Sequence, residues 1–316
     1  MNEPAEPTRA PADAPARTDA PARTDEATAA FVTHRNLLFT VAYEMLGSAA
    51  DAEDVLQETW LRWTGVDLEA VRDQRAYLVR IATRQALGRL RTLRRRKESY
   101  VGPWLPEPLL TTPDVAEDVE LADSVSLAML TVLETLAPTE RAVFVLREVF
   151  AFGYDEIAAA VDRTPVAVRQ IASRARVHVA ERRPRAAAGA DAGVLRREEV
   201  LQRFMQAAAT GDIQSLLDVL SPDVVLVTDG GGVKKAALRP ILGREKVLRF
   251  LDAVMEDRAE TDVVLVNGAP ALRVLLDGEL DSVVSMVVED GCVTGLYAVR
   301  NPAKLGRLDA VVALTR

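Results

Sequence analysis

One cysteine, Cys292, stands among 316 residues, so no disulfide can close within the chain, as suits a reducing cytoplasm. Histidine is nearly as scarce. His34 and His178 are the only two, and neither has another soft ligand nearby in sequence, so no metal site is expected. No apolar run approaches the roughly 18 residues of a membrane-spanning helix. No apolar segment of the secretory-signal kind follows the first residues. Neither a membrane partner nor a cofactor is expected, and the chain reads as cytoplasmic. Basic residues are also outnumbered, 39 against 47 acids, for a formal net charge of −8.

That charge argues at first sight against a nucleic-acid partner, but affinity for phosphate depends on where charge sits. Between Arg72 and Lys97 there are ten Arg or Lys and one acid, Asp73. Between Arg163 and Arg185 there are seven Arg and one acid, Glu181. Two basic segments stand against an acidic remainder.

Residues 1–26 are rich in Ala, Pro, Thr and Asp and repeat one hexamer at 14–19 and 20–25. Such a stretch buries too little apolar surface to offset its ordering entropy and is expected to be a disordered tail. Residues 27–98 are helical in pattern throughout. Proline density around Pro103, Pro106 and Pro108 then favours extended chain, so 99–123 reads as a linker. Helical periodicity resumes at 124 and lasts to 184, and a short Ala/Gly linker occupies 185–197.

The last third predicts two short helices over 198–210 and 212–220. A strand-like run over 224–228, a segment 236–242, a helix over 244–255 and strands at 271–276, 281–288 and 292–300 follow. Asp277-Gly278 and Asp290-Gly291 supply hairpin turns. Helices on one face of a curved antiparallel sheet make 198–302 an α+β domain, with 303–316 as a C-terminal tail.

In the segment Asp51–Trp63 positions 52, 55, 56, 59, 60 and 63 form one inward stripe, which leaves Asp54, Gln57 and Glu58 together on the opposite face. Such a face is also ordinary for any solvated helix. The following helix, Arg75–Arg91, buries Leu78, Ile81, Ala82 and Leu90 and turns Arg75, Arg80, Arg84, Arg89 and Arg91 outward. Like charges at that spacing repel, so something negative is expected against them. Trp60, Trp63 and Tyr77 are either core residues or stacking platforms for unpaired bases. Further along, Tyr154–Val161 and a helix capped by Thr164 and opened by Pro165 form a helix-turn-helix candidate. Val168, Ile171, Ala172 and Ala175 would pack inward. Thr164, Val166, Arg169, Gln170, Ser173, Arg174 and Arg176 would meet DNA in the major groove.

With these motifs in order, the chain resembles the extracytoplasmic-function (ECF) sigma factors. Asp51–Trp63 is similar to their region 2.2, and Arg75–Lys97 to regions 2.3–2.4. Leu136–Arg147 with Tyr154–Arg176 is similar to regions 4.1 and 4.2. Trp104–Leu109, Asp229–Lys234 and Asn301–Leu305 resemble the three signatures of the subgroup carrying a C-terminal SnoaL-like domain. The second signature here carries an extra Val233, and the third has Ala303 in place of the usual Asp.

The resemblance implies two all-α sigma modules, the second with a helix-turn-helix, plus a cone-shaped α+β SnoaL-like domain that regulates them in cis. It implies RNA polymerase core as partner, through the β′ clamp and the β flap, and promoter DNA as the second partner. Asp54, Gln57 and Glu58 would meet the basic clamp coiled coil. Arg75, Tyr77, Arg80, Arg84, Arg89 and Arg91 would face the −10 element, and the 165–177 helix the −35 element. Ile171 stands where many relatives carry a basic residue.

Intramolecular docking of Trp104, Leu105 and Leu109 is expected either near Asp229 and Lys234 or near Asn301 and Lys304, because apolar residues on a proline-stiffened strand seldom stay exposed; local packing on a sigma helix is the alternative. Two other readings stand beside this one: a helix-turn-helix regulator independent of polymerase, and a SnoaL-type enzyme with a DNA-binding extension. For the latter, Asp223, Asp229 or Asp252 would need a pocket that raises its pKa. The reading favoured is a sigma factor without enzymatic activity.

Overall fold

The computed structural model describes residues 20–182, 199–207, 212–254, 259–308 and 310–316. The expected linker 185–197 and most of the expected tail, 1–19, lie outside the described residues. The tail was placed too far along the chain: helix α1 runs from Ala20 to Leu46. Pro21 stands in its first turn, where the missing N–H breaks no helical hydrogen bond.

α1 packs with α2 (Ala49–Trp63) and α3 (Gln74–Glu98) around Leu38, Tyr43, Met45, Leu46, Trp63 and Leu78. Side chains set both helix starts. Ser48 Oγ accepts from Asp51 N at 3.2 Å, and Asp73 Oδ1 accepts from Ala76 N at 2.9 Å. The expected linker is more regular than its prolines suggest. Leu110–Thr111 form a strand, β1, followed by α4 (Pro113–Glu117) and α5 (Val119–Val125). Pro113 occupies the first turn of α4 and Asp118 caps α5 through Leu121 N at 3.1 Å, which turns an acidic stretch into two short helices.

The second helical unit contains α6 (Leu127–Leu133), α7 (Pro138–Phe144), a π turn over Val145–Val149, α8 (Tyr154–Val161) and α9 (Pro165–Ala180). In the last third, helix α10 covers 199–207 and α11 covers Ile213–Val219, followed by β2 (Leu220–Asp229), β3 (Ile241–Leu242) and α12 (Arg244–Val254). Then come β4 (Ala259–Val266), β5 (Ala269–Leu276), β6 (Glu279–Glu289), β7 (Cys292–Val299), α13 (Pro302–Leu305) and β8 (Val311–Val312).

The sheet order is β3-β2-β7-β6-β5-β4-β1-β8. It is mixed, not wholly antiparallel: β2 pairs parallel to β7 and β8 parallel to β1. β4 was missed in sequence, and the segment read as a C-terminal tail supplies β8. Both expected Asp-Gly turns form, with φ of 52° and 80° at Asp277-Gly278 and 50° and 79° at Asp290-Gly291.

One sheet face closes over its own helices, with Leu216 and Val219 of α11 and Val247 of α12 against Leu272, Val293 and Leu296. The other face is shared. Leu105 from the linker and Leu127 from α6 join Val266, Ala271, Val283 and Val299 of the sheet and Leu305 of α13 in one apolar cluster. Hydrophobic burial, at about 25 cal/mol per Å², therefore joins the linker to the C-terminal domain. The chain end closes back on the helices: Leu314 is buried in their core and Thr315 N donates to Thr40 Oγ1 at 3.1 Å.

Candidate functional site

Four places carry the residues singled out in sequence. The first is the exposed side of α2. Gln57 and Glu58 face solvent and Asp54 is half-buried. Arg89 of α3, expected to point toward DNA, instead reaches across to this surface. Its Nε donates to Asp51 Oδ1 at 2.6 Å, Nη2 bonds Asp54, and Nη1 lies 3.8 Å from Glu58 Oε1.

The second place is the rest of α3. Arg91 is exposed, and Arg80 lies over the Tyr77 ring at 4.3 Å. Two other arginines meet the second helical unit. Arg75 sits 4.7 Å from the Phe152 ring centroid, and Arg84 Nη2 donates to the Ala159 carbonyl at 2.8 Å, at the electronegative end of α8. Trp63 is no stacking platform. It is fully buried and its indole N–H donates to Ala27 O at 2.8 Å. Tyr77 packs against it at 5.9 Å, and Trp60 packs on Phe31 at 5.2 Å.

The third place is the helix-turn-helix. Asp162 turns the chain in the left-handed region (φ 55°, ψ 57°), and Thr164 Oγ1 caps α9 through Ala167 N at 3.2 Å. Val168, Ala172 and Ala175 are buried and Ile171 half-buried. Thr164, Val166, Arg169, Gln170, Ser173, Arg174 and Arg176 are all exposed along one side of the helix. Arg176 Nη1 lies 3.7 Å from Glu148.

The fourth place is the junction between linker and C-terminal domain, and it brings three sequence signatures together. The Asp229 side chain is fully buried and accepts from Leu105 N (2.9 Å), Tyr100 Oη (2.5 Å), Gly231 N (3.1 Å) and Lys304 Nζ (2.6 Å). Lys304 Nζ also donates to Leu105 O at 2.5 Å and lies 3.5 Å from the Trp104 ring centroid. Burial draws this ammonium down to about 8, against the pull of the Asp229 carboxylate. Asn301 Nδ2 donates to Tyr100 Oη at 2.7 Å. Gly231 has φ 62°, and a Cβ there would meet Asn301 at 2.4 Å, so the glycine run permits close backbone approach.

Lys234 takes no part in this junction. Its Nζ bonds Asp281 at 3.2 Å within the C-terminal domain. Trp104 carries a second cation on Lys97, 4.8 Å from its ring, and Lys97 is paired with Glu134. One indole is thus approached by an ammonium of α3 and an ammonium of α13.

Two contributors were missed in sequence. Glu107 of the linker is buried and accepts from Ala49 N at 2.8 Å, capping α2 from outside. Asn267, in the β4–β5 turn, accepts from Leu109 N at 2.9 Å and donates to Tyr43 Oη at 2.7 Å and Val125 O at 2.8 Å. The dipeptide Asn267-Gly268 is itself a hairpin signal that could have found this turn.

Residues 30–96 match the family Sigma-70 region 2, and residues 126–179 match Sigma-70, region 4. The chain is similar to the ECF RNA polymerase sigma factor SigJ of Mycobacterium tuberculosis, 34% identical with 87% of this chain and 91% of that protein covered. It belongs to the ECF RNA polymerase sigma factors. The probable ECF RNA polymerase sigma factor SigI of the same species is 29% identical over 90% of this chain and 96% of its own length. The crystal structure of M. tuberculosis SigJ superposes with a TM-score of 0.72 at 33% identity, covering 89% of this chain and 99% of that one.

Two helical sigma modules and a SnoaL-like α+β domain make up this sigma factor, a transcription initiation factor and not an enzyme. The carboxylates weighed for catalysis sit in three different settings. Asp229 is committed to the junction, Asp252 is exposed, and the Ser221 hydroxyl holds Asp223 below the ordinary carboxylate range. Among the described residues no helix is long and apolar enough to cross a membrane.

Proposed function

We propose that this sigma factor binds the β′ clamp of core polymerase through Asp54, Gln57 and Glu58, with the second module against the β flap. It would read the −10 element with the α3 face that bears Arg75, Tyr77, Arg80, Arg84 and Arg91. The −35 element would be read by α9 through Thr164, Val166, Arg169, Gln170, Ser173, Arg174 and Arg176. The C-terminal domain restrains both modules in cis. One observation carries the regulatory part: the buried Asp229–Lys304 pair that grips the linker at Leu105.

The contact between the modules supports the same reading. Their names set the two promoter elements about 25 base pairs apart, roughly 85 Å along B-form duplex. Arg75 nevertheless touches Phe152 at 4.7 Å, and Arg84 is held by α8. Readers packed side by side cannot serve elements that far apart, so this arrangement precedes promoter binding. Opening it requires the linker to leave the C-terminal domain.

Run-off transcription with core polymerase and a −35/−10 template tests the function. A product from the full chain, or from a chain ending before residue 198, is expected, and none from either would sink the proposal. Alanine at Asp54, Gln57 and Glu58 together should weaken core binding by tenfold or more in a pull-down, since a close charge pair across an interface couples by about 1.5 kcal/mol or more. The arginines of α9 have a separate expectation. Arg169→Ala and Arg174→Ala should each reduce affinity for a −35 duplex by ~1–3 kcal/mol if they read bases. If they contact phosphate, they should lower the salt slope by about one. Binding isotherms at several salt concentrations distinguish the two; affinity unchanged at every salt would remove that arginine from the interface.

A further inference from the structure

Arg89 grips three carboxylates, but not equally. The Asp51 side chain is 12% exposed, whereas Asp54 and Glu58 are each 48% exposed. The inner pair through Nε therefore belongs to the packing of α3 on α2. The outer contacts through Nη1 and Nη2 lie in solvent, where water and salt screen them and their net strength is small. A guanidinium divides in this way because its donors form a rigid planar fork. Beside it a groove of about 310 Å³ opens between the two helices, lined by Asp51, Glu58, Gln85, Gly88 and Arg96. A Cβ placed on Gly88 would meet no other part of the fold within 4 Å, so the floor of the groove is open there.

We propose that Arg89 is an internal stand-in for the partner's cation, holding Asp54 and Glu58 until a basic, guanidinium-bearing helical surface of core polymerase displaces its two outer contacts. The inference rests on the reading of Asp54, Gln57 and Glu58 as the polymerase face. Displacement turns the exposed Asp54 and Glu58 side chains onto the incoming cation while the Nε–Asp51 bond stays in place, so neither helix has to move. Arg89 thereby sets the threshold for recruitment. Free carboxylates would attract any cationic surface, whereas occupied ones yield only to a partner that offers more contacts than Arg89 loses.

Arg89→Lys is the discriminating variant. It keeps the net charge and can keep the Asp51 pair, but a single ammonium cannot span all three acids. Titration of core polymerase into the full chain should show Arg89→Lys binding about 3–10-fold tighter at low salt, the gain shrinking as ionic strength rises. Gly88→Leu, which puts bulk into the groove beside the carboxylates and favours the helix, should weaken binding, and unchanged binding by it would overturn the inference should Arg89→Lys fold poorly. Asp54→Asn and Glu58→Gln serve as controls for the underlying reading. Unchanged or weaker binding by Arg89→Lys, with both controls still impaired, would overturn the stand-in role alone. Controls that bind normally would overturn the polymerase face and the inference with it. Normal core binding by Arg89→Lys with reduced promoter opening would return Arg89 to the DNA and also overturn the inference.

Discussion

Lys304→Met should detach the linker from the C-terminal domain while both retain their folds. The substitution keeps most of the side-chain volume and removes the one cation that, among the described residues, is bonded to the fully buried Asp229 carboxylate. Asp229 would still accept from Leu105 N, Tyr100 Oη and Gly231 N, but hydrogen bonds alone do not neutralise a charge out of water. Breaking a buried pair from one side costs about 3–5 kcal/mol, which is two to four decades in the docking equilibrium.

The amides of Leu105 and Leu109 report the event directly, because both donate to side chains of the C-terminal domain, Asp229 and Asn267. Hydrogen exchange at these amides should speed up by at least a hundredfold. The double variant Asp229→Asn/Lys304→Met should recover much of the protection, since neutral partners of similar shape remove the stranded charge. Restraint in cis further predicts more run-off product from Lys304→Met than from the unaltered chain. Exchange at Leu105 and Leu109 as slow as in the unaltered chain would remove this pair as the latch.

The signatures led to an expectation that the linker docks near Asp229–Lys234 or Asn301–Leu305, but not that Lys304 pairs with Asp229 beneath Trp104. Apolar residues between prolines announce a partner, and a glycine run announces close approach; neither says that one carboxylate will gather four donors. The helix-turn-helix was the most legible part. Thr164, Pro165 and the spacing of Val168, Ala172 and Ala175 are local signals, and local chemistry sets α9.

Arg89 shows the opposite case. A helical wheel separates inward from outward positions, and both the DNA face and the α2 face of α3 count as outward. Only the packing of α2 on α3 decides between them, through contacts 31 to 38 residues apart in the chain. β1 and β8 were illegible for a related reason. Two-residue strands have no period, and Leu110 becomes a strand residue only because Val266 and Val311 flank it. Asp118 and Pro113 did carry readable helix-start chemistry, but the prolines upstream overshadowed it.

Glu44→Gln should flatten the dependence of stability on pH. Glu44 lies fully buried in α1 where α5 and α7 meet it. Ser124 Oγ donates to Oε1 at 2.8 Å, Arg141 Nε donates to the Glu44 carbonyl at 2.9 Å, and Oε2 has no hydrogen-bond partner among the described residues. Burial raises its carboxyl to about 8, only partly offset by the Ser124 hydroxyl and the Arg141 charge. The folded chain holds this proton up to pH 8, whereas the unfolded chain releases it near 4.5, so folding takes up a proton between those values. The contribution is intact below pH 4.5 and is lost as pH rises through 8, on the order of 3 kcal/mol by neutrality.

Glutamine keeps the shape and the acceptor for Ser124 but has no proton to lose, so its stability should stay level over the same window. Glu134, the nearby acid, keeps its own pairs with Lys97 and Arg141 in both chains and cancels from the comparison. Melting temperatures measured from pH 5 to 8.5 should therefore diverge, with the glutamine variant the more stable at the alkaline end. Curves that run parallel would mean that Glu44 is ionised inside the fold, and that Arg141, whose Nη2 lacks a hydrogen-bond partner among the described residues, neutralises it at the meeting point of the two sigma modules.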